Sequence, residues 1–128
     1  MKINSFDHIV ITVRNLDETI AFYTKVLGMK EITFSAGRKA LAFGAQKINL
    51  HKTVDDISPR AQNPLPGSAD LCFVTDTPME QVMAHFLSCG VTPVKGPTTK
   101  TGAISSLLSA YIYDPDGNLI EIANRIED

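Results

Sequence analysis

Only two of the 128 residues are cysteine, Cys72 and Cys89, and they stand in apolar stretches without CxxC spacing. That removes a disulfide framework and a zinc ribbon and leaves buried thiols as the expectation. No apolar run approaches the roughly 18 residues of a membrane helix. The first residues, Met1-Lys2-Ile3-Asn4-Ser5, lead into a strand-like run rather than a basic region followed by an apolar one, so the expected setting is the cytoplasm, away from membranes. Clusters of Lys and Arg are missing too. With a net charge of -2 and a pI near 5.9, nucleic acid is not an expected partner. A glycine-rich phosphate loop, a GxSxG elbow and an HExxH helix are all lacking. What is there is a chain with 44% hydrophobic and 20% charged residues. At this length it forms one domain that buries roughly two thirds of its unfolded surface by packing alone, and a small molecule is the partner left.

The punctuation of the chain repeats. Asp7 to Val13 alternates as a strand; Asn15 then offers an N-cap, with Glu18 three positions on, and Leu16, Ile20, Tyr23 and Leu27 form a helical stripe stopped by Gly28. Ala69 to Thr75 is the second such strand, followed by the cap Thr77, Pro78 at the first helical position, Glu80, the stripe Val82, Phe86 and Cys89, and the stop Gly90. Counted from His8 the cap, acid and glycine fall at offsets 7, 10 and 20, and counted from Asp70 they fall at the same three. Three strand-like runs follow each helix: Lys30 to Ser35, Lys39 to Phe43 and Lys47 to His51, then Val91 to Lys95, Ser105 to Tyr113 and Asn118 to Ala123. The fold class is therefore α+β, two βαβββ modules over about 1-52 and 69-128, joined by a proline-bearing surface connector over about 53-68. Asp114-Pro115-Asp116-Gly117 turns the last two strands into a hairpin. Lys95 to Gly102 reads as an irregular segment of the kind that covers binding sites.

Strand parity decides which side chains share a face. If Ile9, Ile11, Val13, Ile48, Leu50, Leu71, Phe73, Ile120 and Ile122 turn to the helices, then His8, Thr12, Asn49, His51, Asp70, Cys72 and Glu121 turn away from them. Two imidazoles and two carboxylates, His8, His51, Asp70 and Glu121, suit a divalent metal such as Mn, Fe, Ni or Zn. The same residues also suit plainer roles: solvated histidines near strand ends, Glu121 on the wet face of an amphipathic strand, Asp70 capping the connector. Tyr111 and Tyr113 share a face and either line a substrate site or pack the sheet. His85, off the apolar stripe of the second helix, reads as a surface residue.

The runs Asp7-His8-Ile9-Val10-Ile11-Thr12-Val13, Thr19 to Met29 and Tyr113-Asp114-Pro115-Asp116-Gly117-Asn118-Leu119-Ile120-Glu121-Ile122 resemble the vicinal oxygen chelate superfamily, which holds glyoxalase I, fosfomycin-resistance proteins, extradiol dioxygenases and metal-free bleomycin-resistance proteins. Lys47 to His51, Pro66 to Phe73 and Thr101 to Ala103 are similar to the glyoxalase domain-containing protein 5 group. The resemblance spans nearly the whole chain. It implies paired modules in a cup-shaped mixed sheet with helices outside, and a homodimer whose sites combine modules of both subunits. It also implies His8, His51 and Glu121 as metal ligands, Asp70 with Glu121 in catalysis, and Thr12, Asn49, Tyr111 and Tyr113 around substrate. Two departures stand out: Asp70 occupies a place where glyoxalase I has a His, and Asn49, two residues before His51, is the match to the glyoxalase I glutamate. The implied activity is metal-dependent chemistry on a small oxygenated substrate, with the metal as Lewis acid; ligand sequestration without metal is the other reading.

Overall fold

The computed structural model describes residues 1-127 and divides into two units, Met1–Gly67 and the chain from Ser68 onward. Unit 1 runs β1 (His8–Val13), α1 (Leu16–Lys25), β2 (Lys30–Phe34), β3 (Arg38–Phe43) and β4 (Gln46–Lys52). Its sheet has the order β1-β4-β3-β2, with β1 parallel to β4 and the other pairs antiparallel. Unit 2 repeats this with β5 (Asp70–Val74), α2 (Met79–Ser88), β6 (Lys95–Thr101), β7 (Ser106–Tyr113) and β8 (Leu119–Ile126), in the order β5-β8-β7-β6. Both are βαβββ modules, each a four-stranded mixed sheet carrying one helix.

Apolar alternation drives each module together. In unit 1, Ile11, Val13, Leu41, Ile48 and Leu50 are buried on the helix side with Ile20 and Tyr23 of α1. Ile112, Ile120 and Ile122 are buried in unit 2 together with Met79, Val82 and Phe86 of α2. Each helix follows one edge strand and leads to the opposite edge strand, from which the chain returns strand by strand to pair with the first in parallel, so the helix spans the sheet on a single face.

The helix starts differ from the repeat read in the sequence. Asn15 caps α1 as expected, its side chain accepting from the Glu18 N–H at 2.9 Å, and Gly28 leaves the helix at φ +66. Thr77 does not cap α2: the helix begins a residue later with Pro78 at the cap, no side-chain cap bond forms, and the Thr77 N–H turns back to Thr75 Oγ1. A proline at the cap holds its own φ near -54 and has only a ring to offer, so the first turn closes through the Pro78 carbonyl, which accepts from Gln81 and Val82. The second correction concerns Lys95 to Gly102. The strand lies there, as β6, and not over Val91 to Val94. Its register with β7 shifts between Lys95 and Thr98, and Gly96 permits the shift: at φ +106, a Cβ there would lie 2.5 Å from the Ser109 carbonyl oxygen.

The Asp114–Gly117 turn forms as read. Asp114 Oδ1 accepts from the N–H groups of Asp116 and Asn118, Oδ2 accepts from Asn118 Nδ2 at 2.7 Å, and Asn118 Oδ1 in turn takes the Ala69 N–H. The buried turn thus ties β5 to the end of β7, and sets the register that brings Glu121 opposite Tyr111. Among the described residues no helix is long and apolar enough to cross a membrane.

Candidate functional site on the open faces of the two sheets

In unit 2 the face away from α2 is organised around Glu121. Strand register sets Cys72 of β5 on one side of it and Tyr111 of β7 on the other. The Ser109 hydroxyl donates to Glu121 Oε2, and the Cys72 thiol and Tyr111 hydroxyl flank this carboxylate and interact with it from the neighbouring strands. Neither cysteine is the buried thiol expected from the sequence, since Cys72 is exposed and Cys89 half-buried; partial desolvation of the Cys72 thiol, then the charge of Glu121, still pushes it up to about 11, and the same two causes raise Tyr111. Cys72 is therefore a donor that holds a carboxylate, and not a nucleophile at neutral pH. Asp70 stands on the same face two residues before Cys72, close enough for its charge to raise both Cys72 and Tyr111. The Lys100 ammonium lies 5.9 Å from the centre of the Tyr111 ring. Tyr113, opposite Leu119, is exposed.

In unit 1 the open face carries His8, Val10 and Thr12 of β1 beside Lys47, Asn49 and His51 of β4. His8 Nδ1 is bonded to Asp7 Oδ1 at 2.8 Å. A carboxylate there fixes the proton on Nδ1 and leaves the Nε2 lone pair free, the arrangement found behind metal-bound imidazoles. Asn49 is buried, and its Oδ1 has no donor among the described residues. It sits two positions from Lys47, the partner of His8.

His51 is brought to this face, but not to His8. It pairs with Thr12, four residues up the strand from His8, or about 13 Å at the usual strand rise. Side chains on one face stand roughly parallel, so the two imidazoles do not converge on one ion. The reason is register: a parallel β1-β4 pair in which His8 meets Lys47 leaves His51 at the far end. Its Nε2 is also engaged. Arg38 Nη2 donates to it at 3.0 Å, and because a guanidinium only donates, Nε2 must be the acceptor and Nδ1 must carry the proton. That Nδ1 is buried with no partner among the described residues, at a cost of about 1–3 kcal/mol for an unmet donor. Burial first, then the charges of Arg38 and Arg60, lower His51 from its ordinary value, with Asp55 opposing them.

Arg38 and Arg60 were not legible as site residues. Arg38 reaches His51 by the β3-β4 hairpin register, one step beyond the Lys39–Leu50 pair, and counting back in equal steps from the Gly44-Ala45 turn would have found it. Arg60 comes from the connector, where its guanidinium donates to the carbonyls of Asp55 and Lys52 at 2.8 Å. Nothing in a proline-bearing loop signals that fold-back.

Paired βαβββ modules with polar open faces define a vicinal oxygen chelate fold. Residues 5–122 match the Glyoxalase/Bleomycin resistance protein/Dioxygenase superfamily, and the chain belongs to that superfamily. It is 51% identical to the virulence protein STM3117 of Salmonella typhimurium over 126 residues, covering 98% of this chain and 88% of that protein. The crystal structure of STM3117 superposes with a TM-score of 0.97, covering 98% of this chain and 100% of that one. The glyoxalase domain-containing protein RDO1 of Mycosarcoma maydis is 47% identical over 97% of this chain and 70% of its own length. At 21% identity the fold alone is shared with FosX, a fosfomycin resistance protein of Listeria monocytogenes crystallised with Mn(II) and sulfate; the TM-score is 0.68, over 98% of this chain and 93% of that one.

Proposed function

We propose that the protein is a glyoxalase-like, divalent-metal-dependent enzyme acting on a small oxygenated substrate, with His8 and Glu121 as protein ligands and closest kinship to the glyoxalase domain-containing protein 5 group. A homodimer is the proposed assembly, and among the described residues no three His, Cys, Asp or Glu side chains cluster closely enough to hold an ion by themselves. The observation that carries the reading is the state of His8: a carboxylate on Nδ1 and an open Nε2. The unmet Asn49 Oδ1 adds an oxygen suited to an ion, a water or a substrate hydroxyl.

Mn, Fe, Ni or Zn held there would supply Lewis acidity to charge developing on a substrate oxygen. The chain's own part is positioning and proton handling. Ser109, Tyr111 and Cys72 orient the Glu121 carboxylate through their hydrogen bonds. Asp70, on the same face at the start of β5, is the proposed base toward a substrate C–H or O–H. Thr12, Tyr111 and Tyr113 line the substrate's place. FosX, seen with Mn(II), gives the superfamily precedent for such an ion.

One observation favours the second reading, capture of a small molecule without metal: the Ser109 hydroxyl already donates to Glu121 Oε2, and the Cys72 thiol and Tyr111 hydroxyl flank the same carboxylate. Metal content per chain, measured by mass spectrometry on untagged protein after incubation with each of the four metals, separates the two. About one ion per chain, lost in both His8→Ala and Glu121→Ala, is the expected result. A wild-type chain that cannot be loaded overturns the enzyme reading in favour of sequestration.

A further inference from the structure

The open face of unit 1 has an acceptor end and a donor end. Asn49 Oδ1 lacks a donor, whereas two residues further along β4 His51 Nδ1 lacks an acceptor, and Arg60 Nε is likewise buried without one among the described residues. Arg38 completes the second group. Its guanidinium spends one N–H on His51 Nε2 and lies 5.2 Å from the centre of the Phe34 ring, which restricts where the remaining N–H groups point. Arg60 is pinned by two backbone carbonyls. The one carboxylate with a felt charge at His51, Asp55, is occupied: it accepts the Lys52 N–H at 2.7 Å and lies 3.9 Å from Lys52 Nζ. Two permanent cations, one in contact with the imidazole and one whose charge is felt there, thus stand by a buried N–H that has no acceptor among the described residues.

We propose that Arg38, His51 and Arg60 form an oxyanion-binding subsite that takes the carboxylate of a small oxygenated acid. A carboxylate supplies what the group lacks: two in-plane acceptor oxygens, one for the buried imidazole N–H and one for a guanidinium, with charge to match. Asn49, about 7 Å back along the strand, then faces a hydroxyl or carbonyl-hydrate group of the same molecule. The substrate class is thus a hydroxy or oxo acid with its oxygen function a few bonds from the carboxylate. His51 serves this as a binding residue and not as a metal ligand. The assignment of the bound acid as substrate rests on the proposed enzymatic reading, but the subsite itself does not.

The test is a titration of the metal-free protein, in excess chelator at pH 7.5, with acetate, glycolate and inorganic phosphate against a chloride control. It is read by NMR of the histidine side-chain nitrogens. His8 and His85 are internal references. Acetate and glycolate are expected to move the His51 resonances saturably while leaving those of His85 unchanged, with glycolate the tighter. Arg38→Gln is expected to weaken glycolate roughly tenfold or more, the usual effect of losing a charge-assisted bond, with its amide spectrum otherwise preserved. No saturable shift of His51 with any of the three probes overturns the subsite and leaves a water as its occupant. Phosphate binding more tightly than glycolate overturns the carboxylate assignment. Because no metal is present, these outcomes are independent of metal loading: a protein that binds glycolate but no ion keeps the subsite and loses the enzyme reading, and the reverse result does the opposite.

Discussion

Unit 1 and unit 2 share strand order, the parallel pairing of first and last strands, and a helix over one face, yet only one of their open faces carries carboxylates. Strand positions on the open face of unit 1 hold Lys30, Arg38, Lys47 and two histidines, and none holds a carboxylate. Unit 2 presents Asp70 and Glu121 amid a thiol and hydroxyls, with Lys95, Lys100 and Arg125 on the same face. The apolar alternation that builds the module constrains only the helix-side residues, so the other parity is free to diverge. One face is left with basic groups alone, and the other with carboxylates and bases together.

The shared half of this comparison is tested where the modules correspond. Ile48 and Ile120 are fully buried in the central strands β4 and β8. Replacing either by Ala is expected to cost about 2–5 kcal/mol in chemical denaturation, and by similar amounts for the two. A large inequality would show that one module carries the stability of the chain and that the repeat is one of pattern only.

The divergent half is tested through Cys72. With its thiol pushed up to about 11 by burial and by Glu121, it should alkylate slowly at pH 9. Glu121→Gln removes the charge, so the thiolate fraction and the alkylation rate should rise on the order of tenfold in chelator-treated protein. An unchanged rate would mean that burial alone sets the thiol and that Glu121 organises less of its surroundings than the hydrogen bonds imply.

Unit 1 responds to pH in the opposite chemical sense, through a base kept neutral. His51 lies below its ordinary 6.5 in the folded chain, so as pH falls the unfolded chain takes up the proton first. The stability that neutral His51 contributes is full above about 6.5 and is lost as pH drops through the lowered value. His51→Gln, which keeps an acceptor for Arg38, is expected to flatten the fall in unfolding free energy between pH 7 and 5 relative to wild type. A steeper fall would reverse the sign assigned to the Arg38 and Arg60 charges.

How much of this was readable in the sequence depends on the distance over which each contact is encoded. Parity and punctuation are local, so both modules, the Asn15 cap, the Asp114–Gly117 turn and the faces of His8, Asp70 and Glu121 were legible. The His51 environment was not, because Arg38 arrives by hairpin register and Arg60 by a fold-back of the connector. Parity gives a face but no position along it, so it groups two histidines that register sets four residues apart. β6 was missed because Gly96 and Pro97 break the apolar pattern at the point where the strand itself is irregular.

The helix starts give the finest comparison. Asn15 accepts the Glu18 N–H, whereas Thr77, at the same offset, does not cap α2. Asn15→Ala is therefore expected to cost about 0.5–2 kcal/mol, and Thr77→Ala close to nothing, both read by urea denaturation at equal slope. The contrast is physical rather than statistical: both sequences offer an acceptor followed by an acid three residues on, but Pro78 takes the cap position and moves the first turn by one residue, so the Thr77 hydroxyl lies outside the helix it was placed to begin. Should Thr77→Ala prove as costly as Asn15→Ala, the two modules would be capped alike in solution, and the repeat would extend to the helix starts as well as to the sheets.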